Sequence, residues 1–188
     1  MSQHTPTLSA SLSALRKEFD DGFTDTPIEN AGKLEKLLAI RIADGHYAIR
    51  VADIGGLYVD RRIMPLPSPV AALLGMAGFR GQIAAVYDLA ALFGYQRQTP
   101  PRWMVLSRER EPVALAFDAF EAHLAVPMQQ ISLSNGTGTV LQDASRMYVD
   151  DVVRTDQVLY PIINLPSLLE DIRRQGQSPN RHGAINHE

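Results

Sequence analysis

An arginine and an aspartate stand at the two ends of the apolar part of AGFRGQIAAVYDL, residues 77–89. Arg80 and Gly81 precede the apolar run, and Asp88 ends it. An arginine offers a planar fork of hydrogen-bond donors to carboxylates or backbone carbonyls. An aspartate at the start of a helical turn accepts amide hydrogens as a cap. These residue types leave two possibilities open at Arg80, a catalytic site and a recognition surface, and they favour a capping role for Asp88.

Catalysis needs titratable groups that converge, and the candidates in this chain are dispersed. The five histidines show no metal-ligand spacing. Asp150 and Asp151 are adjacent, and adjacent strand residues point to opposite faces, which argues against a shared acid–base site. Residues 134–139 (SNGTGT) lack the lysine and the strand-to-helix setting of a phosphate loop. We therefore expect no enzyme activity, no metal and no cofactor.

Composition sets limits on the partners and the compartment. The 188 residues carry a formal net charge of -3, which gives no electrostatic reason to expect a nucleic acid. No apolar run approaches the roughly 18 residues of a membrane span, and the first residues lack the features of a signal peptide. The chain has no cysteine, which suits a reducing compartment. These features predict a cytoplasmic protein without direct membrane insertion.

The two ends of the chain differ from its middle. Residues 1–35 predict a helical arm. A capping pattern begins at Thr26, and before it four apolar residues recur at helical spacing: Leu8, Leu12, Leu15 and Phe19. Residues 173–188 are polar with scattered glycine, proline and asparagine, which predicts a disordered tail. A single folded domain is expected between them, over residues 36–172.

The first half of that domain predicts a hairpin followed by an irregular connection. Apolar alternation from Leu37 to Val51 flanks Asp44-Gly45, the pair that a two-residue type I′ turn favours. Alternate prolines in residues 61–69 predict an extended connection outside any central strand position. Further elements are predicted in this order: a helix-like turn at 53–57, a short helical piece at 70–74, a turn at Gly75, a strand at 82–87 and a helical turn at 89–93 ended by Gly94.

The second half repeats this order. Residues 103–106 and 113–117 predict another hairpin, and residues 162–169 match residues 86–93 at the positions of the large apolar side chains, with Asn164 opposite Asp88. An internal duplication of this kind suggests two small β-barrels side by side. The sequence therefore predicts one lobe over about 37–95 and another over about 102–170.

The same motifs resemble those of CheW-type coupling proteins of bacterial chemosensory systems. The resemblance covers about Leu37 to Leu169 and is densest at residues 75–89, where the family pattern Gly-x-x-Asn-Leu-Arg-Gly-x-x-x-Pro-x-x-Asp-Leu matches at five positions: Gly75, Arg80, Gly81, Asp88 and Leu89. The chain departs from the pattern at Gly78, Phe79 and Ala85, and it has Gly56 where the family carries a glutamate.

The resemblance implies a mainly β fold with two five-stranded SH3-like barrel lobes sharing a hydrophobic seam. It implies a non-catalytic adaptor that couples methyl-accepting chemoreceptors to a CheA-type histidine kinase, in the cytoplasm and recruited to membrane-associated receptor arrays. The predicted partners are receptor signalling-domain helices and the kinase regulatory domain, bound through a set of five residues: Arg80, Gly75, Ile54, Leu57 and Phe79. For each apolar member of this set, a place in the core of the first barrel is the alternative. Gly81, Asp88, Leu89 and Asn164 are predicted to be structural.

Two questions stay open at the level of sequence. The departures suggest a specialised, non-flagellar system, but the behaviour it serves is undetermined. A β-barrel enzyme or ligand-binding module that merely shares the architecture is the alternative, because a fold alone does not fix a function.

Overall fold

A computed structural model describes residues 33–96, 99–134, 143–155 and 158–177 of the chain. The strands are β1 (Leu34–Ile42), β2 (Gly45–Arg50), β3 (Ile54–Val59), β4 (Leu73–Phe79), β5 (Gln82–Asp88), β6 (Trp103–Ser107), β7 (Val113–Phe117), β8 (Ala119–Pro127), β9 (Ile131–Leu133), β10 (Val149–Arg154) and β11 (Leu159–Ile163). The α-helices are α1 (Leu89–Leu92), α2 (Asp143–Arg146) and α3 (Leu165–Gln177), and the short 3₁₀ helices are Val51–Asp53 and Met128–Gln130.

The described strands form two sheets, which confirms the mainly β fold. A six-stranded sheet has the order β8-β1-β2-β11-β10-β9, and a five-stranded sheet has the order β3-β6-β7-β5-β4. Each sheet contains one parallel pair, β11 with β2 and β5 with β7, and its other pairs are antiparallel. One sheet thus has one strand more than the five that the sequence analysis expects.

The six-stranded sheet must curl into a barrel. Its edge strands β8 and β9 are joined only by the 3₁₀ helix Met128–Gln130. A connection of three residues spans roughly 10 Å at most, whereas β8 and β9 would lie about 24 Å apart if the six strands formed a flat sheet. The five-stranded sheet has a counterpart of β9, because Met64 forms an isolated bridge with Met76 of β4.

The sheets divide the chain differently from the predicted lobes at about 37–95 and 102–170. The β1–β2 hairpin belongs to the sheet of the C-terminal strands, and the β6–β7 hairpin belongs to the sheet of β4 and β5. The hairpin of each half therefore joins the sheet of the other half, and the parallel pairs β2–β11 and β5–β7 make the connection. The duplication is visible in this exchange, since each hairpin meets a strand that runs into a helix.

Three clusters of buried side chains fill the fold. The seam cluster lies between the sheets and contains residues of both, together with four residues of α3: Leu165, Leu168, Leu169 and Ile172. The other two clusters are the inner faces of the sheets, one around Phe79 and Met104 and one around Leu37 and Ile162. The central strands are consequently buried on both faces, and the predicted hydrophobic seam is present.

The β1–β2 hairpin is confirmed, but its turn lies one residue earlier than predicted. Ile42 pairs with Gly45, so the loop is Ala43–Asp44 instead of Asp44–Gly45. Ala43 has a φ of 50°, and its amide donates to the Asp118 carboxylate at 2.6 Å. A Cβ at Gly45 would lie 2.8 Å from the Tyr47 ring, so this glycine allows a close approach of that ring.

Two predicted helical pieces are strands. Residues 70–74 do not form a helix, because β4 begins at Leu73 and pairs with β5. The helix-like turn predicted at 53–57 is confined to Val51–Asp53, and β3 starts at Ile54. In both places a partner strand supplies the backbone hydrogen bonds that a local helix would have made.

The C-terminal prediction is wrong for its first five residues. Helix α3 continues to Gln177, so residues 173–177 are helical instead of a disordered tail. The apolar spacing from Leu165 to Ile172 follows one helical face and explains the length of this helix. The predicted arm at residues 1–32, the rest of the predicted tail and residues 135–142 lie outside the described part of the chain.

Candidate functional site

Two strand-to-helix junctions fix the duplicated motifs. The Asp88 carboxylate accepts a hydrogen bond from the amide of Ala90 at 2.9 Å at the start of α1. The Asn164 side chain accepts one from the amide of Ser167 at 3.1 Å at the start of α3. Both residues therefore cap helices, as predicted for Asp88. Leu89 is fully buried directly after the first cap.

Gly75 lies inside β4, at a register shift between β4 and β5, and not in the turn that the sequence predicts there. Its φ is +138°, and a Cβ there would lie 2.0 Å from the carbonyl oxygen of Met64. Met64 and Met76 exchange two backbone hydrogen bonds, at 2.8 and 2.9 Å. Gly75 therefore allows the 61–69 connection to lie against β4, which is a structural role.

Arg80 and Gly81 form the two-residue turn between β4 and β5. Phe79 pairs with Gln82, and the two turn residues have φ values of 46° and 85°. Positive φ at both positions is the requirement of a type I′ hairpin turn. Glycine meets it freely, whereas an arginine in the left-handed region costs roughly 1–2 kcal/mol. The exposed Arg80 side chain is thus held at a hairpin tip.

The guanidinium of Arg80 lies over the ring of Tyr58, at 6.0 Å from its centroid. Arg61 lies over the same ring, at 5.1 Å. Tyr58 ends β3 together with Val59, and its ring packs edge-on against Phe79 with centroids 4.9 Å apart. The two arginines come from different segments, and this tyrosine brings them together.

Ile83 is an exposed apolar residue close to the turn in the strand register, and other exposed apolar residues lie near Tyr58 and Arg61 in the chain. Ile83, which pairs with Gly78 one step from the turn, is 73% exposed. Val59 and the connection residues Met64 and Leu66 are also exposed. We name the Arg80 surface by its members: Tyr58, Arg61, Arg80, Met64, Leu66 and Ile83. Isolated exposed apolar residues are ordinary, but several of them beside exposed cations are typical of a binding surface.

The other predicted binding residues do not join this surface. Ile54 is buried in the seam cluster, and Leu57 is half-buried against it. Phe79 is 1% exposed and fills the inner face of the five-stranded sheet. The structure therefore separates Ile54 and Leu57 from Phe79, because these two residues of β3 face the seam cluster whereas Phe79 of β4 faces the cluster inside the five-stranded sheet. The Arg80 surface contains residues that the sequence analysis did not select.

The sequence gives only weak indications that Arg61, Tyr58 and Ile83 belong to a binding surface. Arg61 belongs to an Arg-Arg pair in a chain of net negative charge, just before the alternate prolines. Tyr58 and Ile83 read as ordinary strand residues, and their positions depend on how β3 and the β4–β5 turn meet. Only the tertiary fold shows that the end of β3 lies next to the β4–β5 turn.

The carboxylates considered for acid–base chemistry have separate structural partners. Asp151 pairs with Arg50 of β2, and Asp150 accepts a hydrogen bond from the side-chain amide of Asn164. His46 contacts Glu121 at 2.9 Å across the six-stranded sheet. Within the described residues, no group of three or more histidine or carboxylate side chains is placed to hold a metal ion.

The buried tyrosines are held in their neutral form. Burial and a hydrogen bond to Asp171 raise the pKa of Tyr148 to about 12. Burial also raises the pKa of Tyr47, whose hydroxyl lies 2.7 Å from that of Tyr95. Burial raises the pKa of the Asp53 carboxyl as well, against the opposing effects of Arg50 and Arg108. All of these groups lie at or near the seam cluster, where their contacts stabilise the packing of neighbouring elements.

The sequence profile of the CheW-like domain matches residues 36–173, which is most of the chain. The chain belongs to the CheW-like family. The profile spans both sheets and ends within α3.

Two relatives agree with this membership. The chain is 25% identical over 145 residues to a probable chemotaxis protein CheW of Rhizobium etli, covering 76% of this chain and 91% of that protein. Its fold is similar to that of the scaffolding protein TtCheW from Thermoanaerobacter tengcongensis, with a TM-score of 0.63, 22% identity, and coverage of 73% of this chain and 93% of that one. Among the described helices of this chain, none has the length and apolar character that a membrane crossing requires.

Proposed function

We propose that this chain is a non-catalytic adaptor that couples chemoreceptors to a CheA-type histidine kinase in a bacterial chemosensory array. Its family membership supports a scaffolding role, as do the names of the two similar proteins, a probable chemotaxis protein and a scaffolding protein. In this role it works in the cytoplasm and is recruited to membrane-associated receptors. It performs no reaction and needs no cofactor.

The observation that carries the proposal is the position of Arg80. Its side chain is exposed at the tip of the β4–β5 turn, although the backbone there favours glycine or asparagine. Strained backbone is retained most often where a side chain serves a function. Ile83, one register step from the turn, is exposed and suits the apolar stripe of an amphipathic helix. We therefore assign receptor signalling-domain helices to the Arg80 surface.

The kinase regulatory domain is the second proposed partner. The duplicated fold presents a second hairpin, β10–β11, whose strands correspond to β4 and β5. A protein with two related hairpins can bind two partners at once, and an array multiplies modest single affinities through multivalency. The proposal therefore needs no unusually tight contact at either surface.

The test is co-sedimentation and titration with a soluble chemoreceptor cytoplasmic fragment and a kinase regulatory domain from the same organism. The wild-type protein should bind both. Arg80→Ala should weaken receptor binding by about 2 kcal/mol, as expected of an interface arginine. Arg80→Lys should restore little of it, since an ammonium cannot reproduce the planar fork. Arg110→Ala, an exposed arginine in the β6–β7 turn, is the matched control.

Two results would overturn the proposal. A wild-type protein that binds neither fragment is not a coupling adaptor. Equal receptor affinity of wild type and Arg80→Ala, at equal melting temperature, would remove Arg80 from the interface and leave it a turn residue. Turnover of a small molecule by the purified protein would support the alternative enzyme reading.

A further inference from the structure

Tyr58 is a rigid platform at one end of the five-stranded sheet. Its ring packs against Phe79 on the inner side, and the residue is only 8% exposed. The ring also lies directly over Gly56, where a Cβ would be 2.9–3.1 Å from three of its atoms. Gly56 thus makes room for the ring, and Phe79 limits its movement. A ring that is fixed in this way can hold a charged group in a defined place.

Two cations share this platform. The guanidinium carbons of Arg61 and Arg80 lie 5.1 and 6.0 Å from the ring centroid, so they can be no more than about 11 Å apart. Both side chains are exposed. Cation–π attraction favours this arrangement, while the repulsion between the like charges opposes it. An anion bound to both arginines would remove that repulsion.

Within the described part of the chain, no carboxylate forms an ion pair with Arg61 or Arg80. Asp60, the neighbour of Arg61, is already held by Arg102 through two hydrogen bonds of 2.8 and 2.6 Å. Other ion pairs among the described residues involve other arginines or His46. The two arginines are therefore a local positive site on a chain whose net charge is -3.

We propose that Tyr58 positions Arg61 and Arg80 as a joint binding site for a carboxylate on an acidic segment of the partner protein. This inference rests on the proposed adaptor function and names the chemistry by which the Arg80 surface selects its partner. Guanidinium groups match carboxylates through paired, charge-assisted hydrogen bonds. A ring-stacked arginine loses less side-chain freedom on binding than a free one, so the platform raises affinity. Tyr58 is a positioning residue, and Arg61 is a second recognition residue.

The test measures binding of the chemoreceptor cytoplasmic fragment to full-length variants over a range of chloride concentrations. Arg61→Gln should weaken binding about tenfold and reduce the salt dependence, whereas Arg62→Gln should change it less than about twofold. Arg62 is the matched control because it carries the same charge one residue away and is likewise exposed. Tyr58→Phe keeps the ring and should bind like wild type, whereas Tyr58→Leu should weaken binding about tenfold.

A double mutant separates positioning from simple packing. In the Tyr58→Leu background, Arg61→Gln should cause less than about a twofold further loss, because the platform that gives Arg61 its place is gone. Melting temperatures identify variants that fail to fold, and Arg61→Gln remains informative if Tyr58→Leu is one of them. Inorganic phosphate should compete no better than chloride at equal ionic strength.

The outcomes distinguish this inference from the proposed function. Wild-type binding with equal losses for Arg61→Gln and Arg62→Gln overturns the joint site and leaves the adaptor function intact. Additive losses in the double mutant overturn the positioning role of Tyr58. Competition by phosphate beyond the chloride control overturns the assignment to a protein carboxylate. Absence of any wild-type binding overturns the adaptor function on which the inference rests.

Discussion

The carbonyl oxygen of Met64 lies where a side chain on Gly75 would begin, 2.0 Å from the position of a Cβ. This approach lets the 61–69 connection form two backbone hydrogen bonds with Met76 at the edge of β4. The contact thus closes the five-stranded sheet much as β9 extends the other one. It depends on the absence of a side chain at one position.

Gly75→Ala should therefore destabilise the protein by about 3 kcal/mol or more, because the new methyl group meets backbone atoms and the φ of +138° strains any other residue. Gly78→Ala is the matched control in the same strand, since no atom lies within 4 Å of its Cβ position. It should stay within about 0.5 kcal/mol of wild type. Chemical denaturation measures both, and equal midpoints would show that the connection can move away from β4.

The tip of the β4–β5 turn should respond in the opposite direction. Arg80→Asn should raise stability by up to about 1 kcal/mol, because asparagine tolerates a φ of 46° better than arginine does. The same variant should weaken receptor binding. Arg110→Asn is the control for the loss of charge, because Arg110 does not have a positive φ. A lower melting temperature for Arg80→Asn would mean that the arginine stabilises the turn.

The sequence predicts part of the local structure of this fold and little of the strand pairing. The β1–β2 and β6–β7 hairpins follow from alternation, and the cap at Asp88 follows from its position before a helical turn, whereas residues 70–74 are predicted to be helical and join β4 in part. The assignment of lobes does not follow from the sequence, because the parallel pairs β2–β11 and β5–β7 join segments that are distant in sequence. Local periodicity contains no information about which strand becomes the neighbour.

The candidate site shows the same limit. Arg80 and Gly81 are recognisable in sequence, but the sequence leaves open whether Ile54 and Phe79 are exposed anchors or core residues, and both are buried. Central strands here are covered on both faces, so apolar character does not tell an anchor from a core residue. Tyr58 and Arg61 become a site only because β3 ends beside the β4–β5 turn. That proximity is a property of the folded sheet.

Alkaline titration should reveal the contact between Tyr148 and Asp171. The Tyr148 hydroxyl donates to the Asp171 carboxylate at 2.8 Å, and its pKa is raised to about 12 from the ordinary 10.0. A raised pKa means that the neutral form stabilises the fold fully below pH 10, and that this stability is lost as the pH rises through about 12.

Tyr148→Phe should therefore lose about 1 kcal/mol at neutral pH, from the missing hydrogen bond, and show a smaller decline in stability between pH 10 and 12 than wild type. Denaturant midpoints across this pH range provide the measurement. Parallel curves for the two proteins would mean that Tyr148 does not contribute to alkaline unfolding.

Helix α3 should stabilise both sheets at once. Leu168 is fully buried in the seam cluster, which also contains Ile49 of the six-stranded sheet and Val105 of the five-stranded sheet. Leu168→Ala removes packing that both sheets share, and a buried leucine-to-alanine change costs about 2–5 kcal/mol. Unfolding should remain a single transition, since the exchanged hairpins leave neither sheet complete without strands from both halves of the chain.

Hydrogen exchange provides the discriminating measurement for α3. In Leu168→Ala, amides of β1 and of β6 should lose protection by the same factor, because the global opening that exposes both becomes easier. Gln175→Ala on the exposed side of the same helix is the control and should leave protection unchanged. Loss of protection in β1 alone would show that the sheets open independently. The seam would then be a contact between two separate units instead of the shared core of one.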